Sequence, residues 1–364
     1  METTIENPWL KWQAAFAEEG MTQMKRWSRL PLIAEKARKV TKGATPSEVV
    51  HRVDHIKLLH YPSNKPVKHK TPLLVVFALV NRPYILDLKE GRSVIRHFVD
   101  AGFDTYLIDW GSPTLADRYL GLDDYINRYM DGLVDFVCER AGSSKASILG
   151  YCMGGTMSTI YTALHRERVA NLMLMAAGID FSTREGLLNL WADPNYFDVD
   201  EFVDTFGNCP AEFLQSSFLM LKPVGNLVEK PLNFMENVHN DKFVEDFLTM
   251  ETWLNDNISV PGEIFREFVK SLYQKNQLVK DELHVRNQLV RLKDVTCPLL
   301  NIVAKGDDLV PCSQSLALND LVGSNDRKTM LVPAGHIGLA VGGKAQRETW
   351  PAVCEWLAER SNFK

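Results

Sequence analysis

Long apolar runs are missing from this chain of 364 residues. The longest unbroken one, residues 73–80, falls far short of the roughly 20 residues a helix needs to cross a bilayer. The first residues, Met-Glu-Thr-Thr-Ile-Glu, have neither the basic start nor the apolar core of a secretory signal, so a cytoplasmic location is expected. Positive charge is not in excess either. Lys and Arg number 41 against 46 Asp and Glu, a net charge of −5, and no basic stripe carries interleaved aromatics. That balance argues against nucleic acid as a partner. The six cysteines are scattered and include no C-x-x-C pair, which indicates neither a zinc site nor a disulfide frame. Internal repeats and low-complexity segments are also missing.

What is present suits a globular protein, with 45% hydrophobic and 24% charged residues. The length allows one large domain with an insertion, or two small ones. From residue 55 onward, strand-like and helix-like segments alternate. Strands are expected at residues 55–61, 73–79, 105–110, 146–151, 170–176, 299–304 and 329–332, several as continuous Val, Leu, Ile and Phe runs. Such runs fit strands buried on both faces of a parallel sheet. Helices are expected at residues 91–101, 123–140, 156–165, 313–322 and 345–360. This alternation predicts a doubly wound, mostly parallel α/β sheet, whose active sites gather at the carboxyl ends of the strands. Cys138, Cys297 and Cys354 sit in apolar patterns and read as core fillers. Cys312, after Pro311 at an expected helix start, reads as structural.

Residues 179–294 break the rhythm. They hold no convincing buried strand but many aromatics, among them Trp191, Phe213, Trp253 and Tyr273. Their place between the fifth-strand region and the last two strands predicts a mostly helical cap, although helices extending the core would use the same residues. The expected organisation is an N-terminal helical segment at 1–45, a core at 46–178 and 295–364, and the cap at 179–294. In the N-terminal segment Trp9, Trp12 and Phe16 share a helical face, which either docks on its own domain or meets another protein or a hydrophobic surface.

The most telling motif is Gly150-Tyr151-Cys152-Met153-Gly154-Gly155, placed directly after the apolar strand at 146–151. This is the nucleophile elbow of an α/β-hydrolase, with sulfur where most members carry a serine hydroxyl. A cysteine after a strand is often just a small buried hydrophobe, so the partners decide. A triad on this fold runs nucleophile, acid, histidine along the chain. The strand at 299–304 leads into Lys305-Gly306-Asp307-Asp308, and the one at 329–332 leads into Pro333-Ala334-Gly335-His336-Ile337-Gly338. Among nine histidines, His336 combines a post-strand loop with flanking glycines. Asp307 and Asp308 are adjacent, and periodicity does not choose between them. Backbone N–H groups of Met153 and Val80 are the expected oxyanion-hole donors.

Together with residues 77–88 (Phe-Ala-Leu-Val-Asn-Arg-Pro-Tyr-Ile-Leu-Asp-Leu), Leu107-Ile108-Asp109-Trp110-Gly111 and, in the cap, Val203-Asp204-Thr205-Phe206-Gly207-Asn208, these motifs resemble the polyhydroxyalkanoate synthases. The resemblance spans nearly the whole chain. It is greatest to the short catalytic subunits of the two-component classes III and IV, since the long N-terminal domain of the one-component enzymes has no counterpart. It implies an α/β-hydrolase fold and a polymerase of (R)-3-hydroxyacyl-coenzyme A, with 3-hydroxybutyryl the usual unit. Cys152 would carry the acyl group, His336 would act as base and Asp307 as the acid. Asp308 stands where the family has a histidine. The resemblance favours Asp307 as a helper in deprotonating the substrate hydroxyl; orienting His336 is the other role. It also implies a second synthase subunit and a polymer-granule surface as partners and leaves open a homodimer; the Trp9–Phe16 face or the cap is expected to contact the second subunit. No metal or redox cofactor is called for, and coenzyme A enters as part of the substrate. Two rival readings remain: a cysteine-dependent thioesterase or lactone hydrolase, and a non-enzymatic granule or scaffold protein.

Overall fold

The computed structural model describes residues 24, 26, 28–64 and 66–361. The aromatic face of Trp9, Trp12 and Phe16 lies outside the described residues. Eight strands form one sheet: β1 (Glu48–Val53), β2 (Ile56–Tyr61), β3 (His69–Val76), β4 (Phe103–Asp109), β5 (Ala146–Tyr151), β6 (Val169–Met175), β7 (Leu299–Ala304) and β8 (Arg327–Val332). Their spatial order is β1-β2-β4-β3-β5-β6-β7-β8. β2 runs antiparallel to both β1 and β4, and the other neighbouring pairs are parallel. Every residue of β5, β6 and β7 is buried, as a sheet covered on both faces requires. The helices Val94–Ala101, Asp131–Ala141, Met153–Leu164 and Trp350–Ser361 supply that cover. The mostly parallel α/β sheet expected from the alternation, and the α/β-hydrolase fold expected from the elbow, are the ones observed.

One whole strand and the end of another differ from expectation for clear physical reasons. β1 was not anticipated. Its sequence, Glu-Val-Val-His-Arg-Val, is polar because it forms a sheet edge with half of its residues exposed. β3 stops at Val76 although apolar residues continue to Val80. There the chain leaves the ladder: the Phe77 carbonyl accepts from Trp110 Nε1 at 2.9 Å, and Gly154 packs directly against the carbonyls of Val76 and Phe77.

The chain divides into two compact units, and the division runs through the stretch 179–294. The larger unit, residues 42–221 and 256–364, holds the sheet together with residues 179–221 and 256–294 of that stretch. There the helix Val199–Phe206 buries Val199 and Val203 against Val269, with Phe197, Phe202 and Phe265 packed around them. Arg266 binds Asp200 and Asp204, each at 2.7 Å, and Lys270 binds Asp200 at 2.6 Å. Gly262 lies so close to the Gly207 carbonyl that any side chain would collide with it. The smaller unit joins the described residues up to Thr41 with residues 222–255. In it Ile33 packs with Val238 and Val244, and Arg29 and Lys36 both reach Asp241 at 2.6 Å.

Candidate active site

The elbow is built by small residues. Cys152 takes φ 55° and ψ −128°, a backbone state that non-glycine residues rarely adopt and that costs about 1–3 kcal/mol. Three glycines make room for it. A Cβ on Gly150 would sit 2.6 Å from Gly155 Cα, one on Gly154 would lie 2.3 Å from the Val76 carbonyl oxygen, and one on Gly155 would meet Ala177 Cβ at 2.5 Å. The helix Met153–Leu164 begins at the next residue; Gly155 N–H donates to the Cys152 carbonyl at 2.8 Å, and the Met153 and Gly154 N–H groups have no partner within the helix. Cys152 itself is partly exposed.

His336 follows β8 and Asp307 follows β7. His336 Nδ1 is 2.7 Å from Asp307 Oδ2, and Cys152 lies close enough to the imidazole to act on its charge. Asp307 is fully engaged. Its Oδ1 accepts from the Leu309 and Val310 N–H groups, both at 2.9 Å, and its side chain is 1% exposed. Asp308 is exposed to solvent. The geometry therefore brings together Cys152, His336 and Asp307, and places Asp308 outside that chain of contacts.

The electrostatics of the imidazole follow from these neighbours. Burial alone would push the His336 pKa down. Negative charge on Cys152 and the hydrogen bonds and charge of Asp307 outweigh it and raise the value to about 10. An imidazole held beside the sulfur is the arrangement that activates a cysteine nucleophile.

Tyr151, quoted in the motif but given no role there, has its ring stacked on His336 with centroids 5.0 Å apart. Val80, Cys152 and Met153 line one cavity of about 180 Å³, whose other walls come from residues between 188 and 273, several of them aromatic, and from Leu309 and Val310. The loop that carries Val80 is pinned. Asn81 Oδ1 accepts from Arg82 N at 2.6 Å, and the Arg82 guanidinium donates to the Gly111 carbonyl and to Ser112 Oγ. Among the described residues no group of three His, Cys, Asp or Glu side chains could hold a metal ion. Cys138, Cys209 and Cys354 are buried, Cys297 and Cys312 are partly so, and all six cysteines are free thiols. Burial pushes Cys138 up to about 11 and Cys297 and Cys354 up to about 12, values that leave these thiols protonated and inert.

Fold and site together define an α/β-hydrolase-type protein with a cysteine at the nucleophile position. The alpha/beta hydrolase fold family matches residues 82–342, and the family described as the poly-beta-hydroxybutyrate polymerase (PhaC) N-terminus matches residues 33–98. The chain is similar to the poly(3-hydroxyalkanoate) polymerase subunit PhaC of Haloferax mediterranei, 46% identical over 90% of this chain and 67% of the relative. It is 44% identical to the polymerase subunit PhaC of Allochromatium vinosum over 89% of this chain and 91% of that one. The chain belongs to the poly(3-hydroxyalkanoate) polymerase family. Among solved structures, a monoacylglycerol lipase of Paleococcus ferrophilus is similar in fold, with TM-score 0.52 and 14% identity over 85% of this chain and 100% of that one. An esterase of Thermogutta terrifontis is similar to the same degree, with TM-score 0.52 and 16% identity over 87% of this chain and 100% of that one.

Proposed function

We propose that this chain is a poly(3-hydroxyalkanoate) synthase subunit that polymerises (R)-3-hydroxyacyl-coenzyme A, with 3-hydroxybutyryl as the usual unit, through a thioester on Cys152. The observation that carries the reading is the continuous chain of contacts from the Cys152 sulfur through His336 to Asp307 beneath an apolar cavity. The sulfur attacks the thioester carbonyl. The N–H groups of Met153 and Val80 hold the developing oxyanion, coenzyme A leaves as its thiolate, and His336 returns the proton to it. One thioester replaces another, so the step is nearly balanced in free energy. The 3-hydroxyl of a further unit then attacks the acyl-Cys152 carbonyl and gives its proton to His336. An ester forms, and the Cys152 sulfur leaves.

Asp307 has one oxygen on His336 and the other on two backbone N–H groups. That arrangement supports an orienting role rather than direct contact with the substrate hydroxyl. The apolar cavity supports transfer over hydrolysis, because water competes with the hydroxyl and ends chains. Relatives named as polymerase subunits support a second subunit as partner, and we place the working enzyme on polymer granules in the cytoplasm. Coenzyme A release from 3-hydroxybutyryl-coenzyme A, with and without candidate second subunits, tests the reading. Insoluble polymer is expected; soluble 3-hydroxybutyrate would make the protein a hydrolase, and full activity in Cys152→Ala would end the thioester mechanism.

A further inference from the structure

In the cavity above Cys152 two side chains bring hydroxyl groups, Ser217 and Tyr273. Ser217 is already committed, since its Oγ donates to the Phe213 carbonyl of its own helix at 2.9 Å. Tyr273 is not. Its phenol has no hydrogen-bond partner among the described residues, yet it is not one of the polar atoms that the protein seals away unpaired. Its ring is fixed by Phe181, with centroids 4.6 Å apart, and by Phe268 at 6.2 Å. It sits in the helical run Phe268–Gln274. Burial, and then negative charge on Cys152, push the phenol pKa well up, so the group is a neutral hydroxyl that can both donate and accept.

A polar group kept unpaired in an apolar cavity is costly unless a ligand satisfies it. On a 3-hydroxyacyl unit attached to Cys152 there are two polar oxygens. The carbonyl oxygen belongs to the backbone donors at the elbow, which leaves the 3-hydroxyl. We infer that Tyr273 hydrogen-bonds the 3-hydroxyl of the acyl unit on Cys152 and selects hydroxyacyl over plain acyl substrates. This rests on the thioester reading given above. It adds a specificity-determining residue supplied by the cap, opposite the elbow.

The test is acylation of Cys152 in a single turnover, followed by intact-protein mass spectrometry, with 3-hydroxybutyryl-coenzyme A and with butyryl-coenzyme A. The wild-type protein is expected to take the hydroxyacyl group faster. Tyr273→Phe keeps the ring contacts and is expected to slow the hydroxyacyl reaction about tenfold, the worth of one neutral hydrogen bond, while the butyryl reaction is unchanged. Equal slowing of both substrates, or of neither, overturns the inference alone. A wild-type protein that takes both groups equally well overturns it without any variant, which covers a Tyr273→Phe protein that fails to fold. A wild-type protein that gains no mass with either substrate removes the thioester reading and this inference together.

Discussion

The Tyr151 hydroxyl donates to the His336 carbonyl oxygen at 3.1 Å while its ring stacks on the imidazole. The residue before the nucleophile thus holds the base from two sides, across strands β5 and β8 that are not neighbours in the sheet. Removing the hydroxyl keeps the stack and leaves the His336 carbonyl with only the longer bond from Leu339 N–H at 3.4 Å, at a cost of about 0.5–1.5 kcal/mol. Tyr151→Phe is expected to lower kcat several-fold with little change in KM, and to lower the urea midpoint. An unchanged kcat would mean that the loop holds His336 without this bond.

The two adjacent aspartates are expected to separate cleanly. Asp307→Asn removes the charge beside His336 and replaces an acceptor with an amide, a change that costs roughly 10⁴-fold in an enzyme with a comparable triad. Asp308→Asn alters an exposed side chain and is expected to leave coenzyme A release within about threefold, in keeping with the small effects of exposed substitutions. Steady-state assays of the two variants side by side check this, and equal losses would contradict the contact pattern.

Gly154→Ala is expected to damage folding rather than chemistry alone. The added methyl would lie 2.3 Å from the Val76 carbonyl oxygen and 2.5 Å from that of Phe77, both backbone atoms that cannot swing away. Overpacking of this kind costs about 1–3 kcal/mol or more. The prediction is a thermal transition several degrees lower and a large loss of activity; a normal melt would show that the elbow can move off β3.

The elbow and the order of the three loops were readable because short-range sequence determines them. An apolar strand, a glycine-bracketed turn and a helix leave their pattern within fifteen residues, and β5 and β7 fall at the expected bounds. Periodicity alone does not choose between Asp307 and Asp308, and only the resemblance favours Asp307, because what separates them is two backbone N–H groups that fold back on one carboxylate. Nor was Tyr273 distinguishable among the cap aromatics, since what sets it apart is an unpaired oxygen and a position over Cys152. The grouping of residues 222–255 with the N-terminal piece was hidden for a similar reason: an amphipathic helix declares an apolar face but not what it packs against.

The raised pKa of His336 makes stability depend on pH in a definite direction. In the unfolded chain a histidine gives up its proton near 6.5, whereas in the folded site the value is about 10. Below about 6.5 both states hold the proton and the stabilisation is fully present. Between about 6.5 and 10 the folded state binds a proton that the unfolded chain has released, so stability falls as pH rises, by at most about 1.4 kcal/mol per pH unit. Above about 10 the contribution is gone. The charge that raises the value most comes from Cys152, so the two groups share one proton, and because a thiol in the unfolded chain keeps its own proton up to about 8.5, the loss of stability falls mainly above that pH. The urea midpoint of the wild-type protein is therefore expected to drop from pH 7 to pH 10, and Cys152→Ala is expected to flatten that slope. If the variant keeps the wild-type slope, the sulfur and the imidazole do not form an ion pair at rest, and His336 must take the thiol proton during each turnover instead.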